Sequence, residues 1–247
     1  MANKSSTRKD KHRKRVAVLL KIGVLGAFII FIGDLLMGWG IRDESQMGIE
    51  RMVSQYLAVS DSRMLCSAIL GLIGVPLAVL GHYGIYKLLK PYSRKYAKMY
   101  LIGDFGFLAL AGAGVHLSSI ESVYFYKYMT AADPNIALDN SLKFVSCFVM
   151  PLYVLLLPCM IIMVYAHARV VLKNFSPYPR RLLVFSMLVG VVLMSLIGFL
   201  GNHPAANALM VGAFSFGNIW TLAGHLHMVT KANMYSSSES ESATKVS

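Results

Sequence analysis

The sequence predicts an all-α membrane protein, a polytopic bundle of six transmembrane helices with both termini in the cytoplasm, and three observations carry that reading. Apolar residues gather in long uninterrupted blocks, not amphipathic stripes, in a chain that is 56% hydrophobic and only 15% charged. Six such blocks are long enough, at about 1.5 Å per residue, to cross a hydrocarbon core. Of the 24 Lys and Arg, 18 fall in segments that share one side of that topology and five on the other, which is the inside bias that sets orientation. The net charge of +12 is thereby explained by topology, and nucleic acid is excluded as a partner. The expected partner is the lipid bilayer of the cell membrane.

Residues 1–15 form a basic cytoplasmic segment (Lys4, Arg8, Lys9, Lys11, Arg13, Lys14, Arg15) that holds the N-terminus inside. The first span, 16–39, is too long for a signal-peptide core and ends in Met37-Gly38-Trp39-Gly40 without a small-residue cleavage pattern. Beyond it, Ile49, Met52, Val53, Tyr56 and Leu57 recur at helical spacing, predicting a short amphipathic helix on the outer surface. That helix is either a lid over a site or a connector. Asp61 is expected to cap the second span, 64–89, which contains Pro76.

Lys87, Lys90, Arg94, Lys95 and Lys98 mark a cytoplasmic turn. The third span, 97–120, carries Ala109, Gly112 and Ala113, small residues that permit close helix approach. The fourth, 142–168, holds Pro151 and Pro158 on nearly one face. Spans five and six, 182–201 and 206–229, are joined by a turn at Asn202-His203-Pro204. The six-span domain thus covers 16–230, and the Ser-rich tail 231–247 is expected to be disordered. Cys66, Cys147 and Cys159 show no metal-binding or redox spacing.

Orientation converts sequence position into depth, and two polar layers emerge. Asp34 and His116 both lie roughly 6 Å inside the outer face, with Arg63, His203, Ser118, Ser119 and Glu121 near the same level. An unpaired carboxylate in that setting costs several kcal/mol, on the order of 3, and the guanidinium of Arg63 is the expected partner of Asp34. In the inner half His82 and Asp104 fall at one level on a helical hairpin and are expected to pair, with His167, His225 and His227 nearby. His225 and His227 are about 200° apart around a helix and make poor joint metal ligands.

With Gly33-Asp34-Leu35-Leu36 in the first span, Arg63 opening the second, Gly71 and Pro76 within it, Tyr86 near its end, Pro91 after it and His116 in the third, the first half of the chain resembles an uncharacterised bacterial family of six-span membrane proteins. The resemblance implies a six-helix membrane fold and one site shared by Asp34, Arg63 and His116; it implies no activity.

The expected function is acid/base catalysis by Asp34, His116 and Arg63 on a lipid or other amphiphile held in an outer-leaflet pocket. The alternatives are a proton-coupled transporter of a small solute and an accessory protein whose polar groups fix helix register. No cofactor is indicated, and a zinc site built from Asp34, His116 and His203 is the one metal arrangement with suitable ligand types. The bundle is also compatible with a homodimer.

Overall fold

The computed structural model describes residues 2–173 and 178–245, with side chains described for 11–173 and 178–231. The disordered tail expected over 231–247 falls, but for Lys231, outside the residues whose side chains are described. Every regular element among the described residues is helical. Four helices are long and apolar enough to cross a membrane: Lys11–Gly38, Asp61–Leu89, Arg94–Ala132 and Pro134–Leu172, with a shorter apolar helix over Met187–Leu200. The chain is therefore a membrane protein built as a helical bundle.

Helix α1 (Ala2–Gly38) and α3 (Asp61–Leu89) form the central antiparallel pair. Their backbones touch because glycines face each other: a Cβ on Gly23 would lie 2.4 Å from the Gly81 Cα, and one on Gly26 would lie 2.5 Å from the Ala78 amide nitrogen. In an apolar solvent, where hydrophobic burial gives no drive, such close approach supplies the attraction between helices. Between α1 and α3 lie α2 (Gly48–Ser54) and a 3₁₀ turn, Gln55–Ala58. The amphipathic segment thus forms, with Met47, Ile49 and Met52 exposed outward and Tyr56 turned toward the bundle. Asp61 does not cap α3 as expected. Ser60 accepts the Arg63 amide instead, and Asp61 binds Lys127 Nζ at 2.9 Å and the Tyr128 hydroxyl.

The third crossing runs as α4 (Arg94–Leu110), a π-helical turn (Ala111–His116) and α5 (Leu117–Ala132) without a break. The fourth begins at Pro134, earlier than expected, as α6 (Pro134–Phe144), a second π-helical turn (Val145–Val149) and α7 (Met150–Leu172). Pro151 cannot donate to the carbonyl four residues back, Cys147, which lies within that wide turn. At 39 residues each, both helices are about 58 Å long, nearly twice the ~30 Å hydrocarbon core. The α5–α6 hairpin therefore projects beyond it. Asp133 makes its tip, accepting the Asn135 amide at 3.0 Å with Pro134 as the first helical residue.

The last quarter is more broken. The region expected as a fifth span contains a 3₁₀ turn (Arg180–Phe185), α8 (Met187–Ser195) and another 3₁₀ turn (Leu196–Leu200). After Gly201, whose φ of +88° suits a residue without a Cβ, come α9 (Pro204–Val211) and α10 (Ala213–Lys245). They part at Gly212, against which the Phe31 ring is pressed. α10 packs on both α1 and α8. The bundle has two ends: one carries Trp39, Ala132 and Pro204, the other Lys90, Arg94 and Arg180.

Candidate functional site: a proton-sharing pair on a cavity wall

Asp34 lies one turn before the end of α1 at Gly38. The last carbonyls of any helix lack amide partners, and here Arg63 supplies them. Its Nε donates to Leu36 O at 2.9 Å, and its Nη2 donates to Leu36 O and, at 2.8 Å, to Trp39 O. The expected Arg63 to Asp34 ion pair is thus replaced by a cationic cap on the α1 C-terminus, where the helix dipole places negative potential. Arg63 holds the segment that carries Asp34 and does not line the cavity beside it.

The carboxylate turns instead toward α5 and α10. Ser215 donates its hydroxyl to Asp34 Oδ2, and His116 Nδ1 stands 3.4 Å from Oδ1. His116 ends the π-helical turn, where an i to i+5 pattern inserts one residue and changes the direction of the side chains that follow. Its ring enters α3 at Gly71, and a Cβ there would come within 2.0 Å of His116 Cδ2. Below the ring, His116 Nε2 meets Ser67 O at 2.9 Å and Ser67 Oγ at 3.5 Å.

Hydrogen-bond chemistry fixes the protons. A carbonyl oxygen only accepts, so His116 Nε2 carries hydrogen toward Ser67 O. Nδ1 then faces a carboxylate oxygen, and two lone pairs would repel. The contact requires one proton between them, held as imidazolium and carboxylate or as imidazole and carboxylic acid. Asp34 Oδ1 and His116 Nδ1 are thus placed so that the contact is favourable with one proton between them.

Both groups are nearly buried, with 14% and 13% of their side-chain surfaces exposed, and what remains exposed faces a cavity of about 310 Å³. Ser119, Ser122, Ser215 and Asn218 add polar groups to its wall, Tyr56 and Tyr153 contribute phenols, and the rest is apolar. Burial pushes the Tyr56 phenol up from its ordinary value, keeping it a neutral donor.

The second polar layer is closed. Asn218 Nδ2 donates to Phe214 O, so its Oδ1 accepts from His82 Nε2 at 2.8 Å, which leaves His82 Nδ1 to accept the Tyr100 hydroxyl at 2.8 Å. The expected His82 to Asp104 pair does not form: Tyr100, one turn earlier on α4, takes that place, and Asp104 Oδ1 is buried without a hydrogen-bond partner. His225 Nδ1 donates to Thr221 O at 2.7 Å, so its Nε2 accepts from His167 Nε2 at 3.1 Å. His227 points outward, as its 200° offset required. His203, at the Trp39 end, accepts the Ala205 amide as the cap of α9 and does not line the cavity. No group of three or more His, Cys, Asp or Glu among the described residues is arranged to hold a metal ion.

Sequence reasoning missed Ser215 and Asn218, which lie on the last helix, and Ser67, whose carbonyl sets the tautomer. The signal available was polar residues recurring on an otherwise apolar span: Ser215, Asn218, Thr221 and His225 follow one another at three- and four-residue steps.

A family model described as a family of unknown function, DUF6796, matches residues 1–232, and the chain belongs to that family. The match extends well past the first half, where the resemblance in the sequence is concentrated. No curated protein and no solved structure matches the chain.

Proposed function

We propose that this member of DUF6796 binds an amphiphile in the cavity beside Asp34 and moves a proton to and from it, as a membrane-embedded acid/base enzyme. One observation carries the reading: Asp34 and His116, 3.4 Å apart, both face the cavity. In the carboxylate and imidazolium form Asp34 takes a proton from the bound head group, and His116 returns one to another of its atoms. Such a transfer balances without a co-reactant. Ser215 and Ser67 orient the pair, and Arg63 positions Asp34 through the end of α1. The basic end of the bundle faces the cytoplasm in this reading, with six crossings and the cavity in the outer leaflet. Asp34, His116 and Arg63 form the working set, the first two touching the ligand.

The test uses protein purified with its native lipids and a strain lacking the gene. In His116→Ala, Asp34 keeps the Ser215 hydrogen bond but loses its partner, so the comparison is made on the folded fraction at matched abundance, which loses retained amphiphile in mass spectra and fails to restore the strain. Full retention and full rescue by His116→Ala would leave the pair as a packing device and end this reading.

Asn218 supports a second reading, because its amide joins the cavity to the His82 layer. In that case a solute passes between layers, and uptake into proteoliposomes follows an imposed proton gradient.

A further inference from the structure

We infer that the ligand of this cavity is a single-chain amphiphile with an uncharged, hydroxyl-bearing head, admitted sideways from the bilayer between α7 and α10. The inference rests on the reading of the cavity as a ligand site, and it adds the ligand's charge, chain number and route.

The charge follows from the wall. Asp34 and His116 are its acid and base, they share one proton, and together they are neutral or a compensated ion pair. No Lys or Arg is among the described residues lining the cavity. Arg63 is committed to the Leu36 and Trp39 carbonyls, and Arg42 donates to Gln55 Oε1. A phosphate or carboxylate head would thus be desolvated beside a carboxylate with no fixed cation to meet it. An ammonium head would have to displace the proton already held by the pair. A hydroxyl asks for neither, since Asp34 accepts from it, the Ser119 and Ser122 oxygens, whose hydrogens go to the Val115 and Ser119 carbonyls, keep lone pairs, and Asn218 keeps one amide hydrogen to donate.

Chain number follows from volume. At about 310 Å³ the cavity is at the small end of ligand pockets, which run from about 300 to 1,000 Å³, and one chain with a small head suits it better than two acyl chains.

Two residues of the lining, Leu157 on α7 and Phe214 on α10, each keep 44% of their surface exposed, and the proposed opening lies between them. α7 packs chiefly along α4 and meets the chain beyond residue 178 mainly at the turn Arg180–Phe185, toward the opposite end from Asp34. The outer halves of α7 and α10 therefore leave a gap with apolar lips, which admits a hydrocarbon chain without passage through water.

The experiment uses the full-length protein in nanodiscs with three photoreactive probes: a twelve-carbon chain ending in a hydroxyl, the same chain ending in a carboxylate, and a two-chain phosphatidylcholine. Cross-linked peptides are read by mass spectrometry. The hydroxyl probe is expected to label peptides containing Leu156, Leu157 or Phe214 at least tenfold more than either other probe. Ala111→Phe, which fills the cavity from the π-helical turn, and Leu157→Trp, which narrows the gap, are each expected to reduce labelling at least fivefold. Should one variant fold poorly, the other still decides the location. Equal or greater labelling by the carboxylate or two-chain probe overturns the ligand class while leaving the acid/base reading intact. Labelling that survives both variants, or absence of labelling by the hydroxyl probe, overturns the inference altogether. Normal labelling together with full rescue by His116→Ala means that the ligand binds and the acid/base reading alone fails.

Discussion

The two polar layers hold the same residue types in opposite arrangements. In the layer toward Lys90, His82 and His225 are almost wholly buried and every ring nitrogen meets a neutral partner in a fixed tautomer. In the layer toward Trp39, His116 meets a carboxylate, the pair needs an extra proton to be stable, and both groups look into open volume. A histidine whose bonds are all satisfied by neutral groups fixes helix register. A histidine that shares a proton at a cavity wall can give it away. The lesson is that depth and residue type do not separate structure from function in a membrane bundle; proton accounting and access do.

Four substitutions can break or sharpen that contrast. The largest effect is expected from His82→Ala, which leaves the Tyr100 hydroxyl and the Asn218 amide oxygen unpaired and opens a hole between α3, α4 and α10. A loss of about 4 kcal/mol is expected, visible as a steep drop in thermal midpoint and membrane abundance. A near-normal midpoint would show that the closed layer is dispensable and erase the difference between the layers.

Gly71→Ala comes next. The added methyl collides with the His116 ring, pushing it off Asp34 with neither member of the pair changed. Overpacking of this kind costs about 2 kcal/mol, and ligand retention is expected to fall at least tenfold. Retention at the wild-type level in folded Gly71→Ala protein would mean that the contact does not matter to binding.

Arg63→Ala should cost about 1 kcal/mol through the lost cap on α1, with retention reduced less than threefold in the protein that remains folded. A loss of retention as complete as that expected of His116→Ala would instead make Arg63 a ligand-contacting group. The smallest effect belongs to Asp104→Asn, which removes a carboxyl from a place where one oxygen has no partner. The thermal midpoint is expected to stay level or rise by the equivalent of about 1 kcal/mol; a marked fall would reveal a partner for the ionised group.

Much of the scaffold was legible because bilayer physics is one-dimensional: apolar length and basic connections locate crossings without any knowledge of helix rotation. Depth alone brought Asp34 and His116 to one level. Rotation was not legible, and each mispaired polar side chain within the bundle traces to it. Arg63 was at the right height for Asp34, yet the acceptors on its side were the backbone oxygens of Leu36 and Trp39, which sequence patterns do not display. His82 and Asp104 shared a level, yet one turn of α4 put Tyr100 in contact. The π-helical turn at Ala111–His116 resets the phase of every later residue in that helix, and nothing short of the fold itself locates it. Ser215 is separated from Asp34 by 181 positions, so its contribution depends on how the last helix is turned.

The α5–α6 hairpin has a practical consequence for seeing this molecule at all. A 27.2 kDa chain that is mostly embedded offers an electron microscope little outside the micelle to align on. The hairpin is a stiff mast: Phe125 and Phe144 stack across it at 5.3 Å, and Lys127 ties its base to Val59 O and Asp61. A small rigid soluble domain spliced at the tip, between Asp133 and Pro134, would inherit that stiffness at a point remote from the cavity. The fused domain would then serve as an orientation marker for images of the ligand-bound protein.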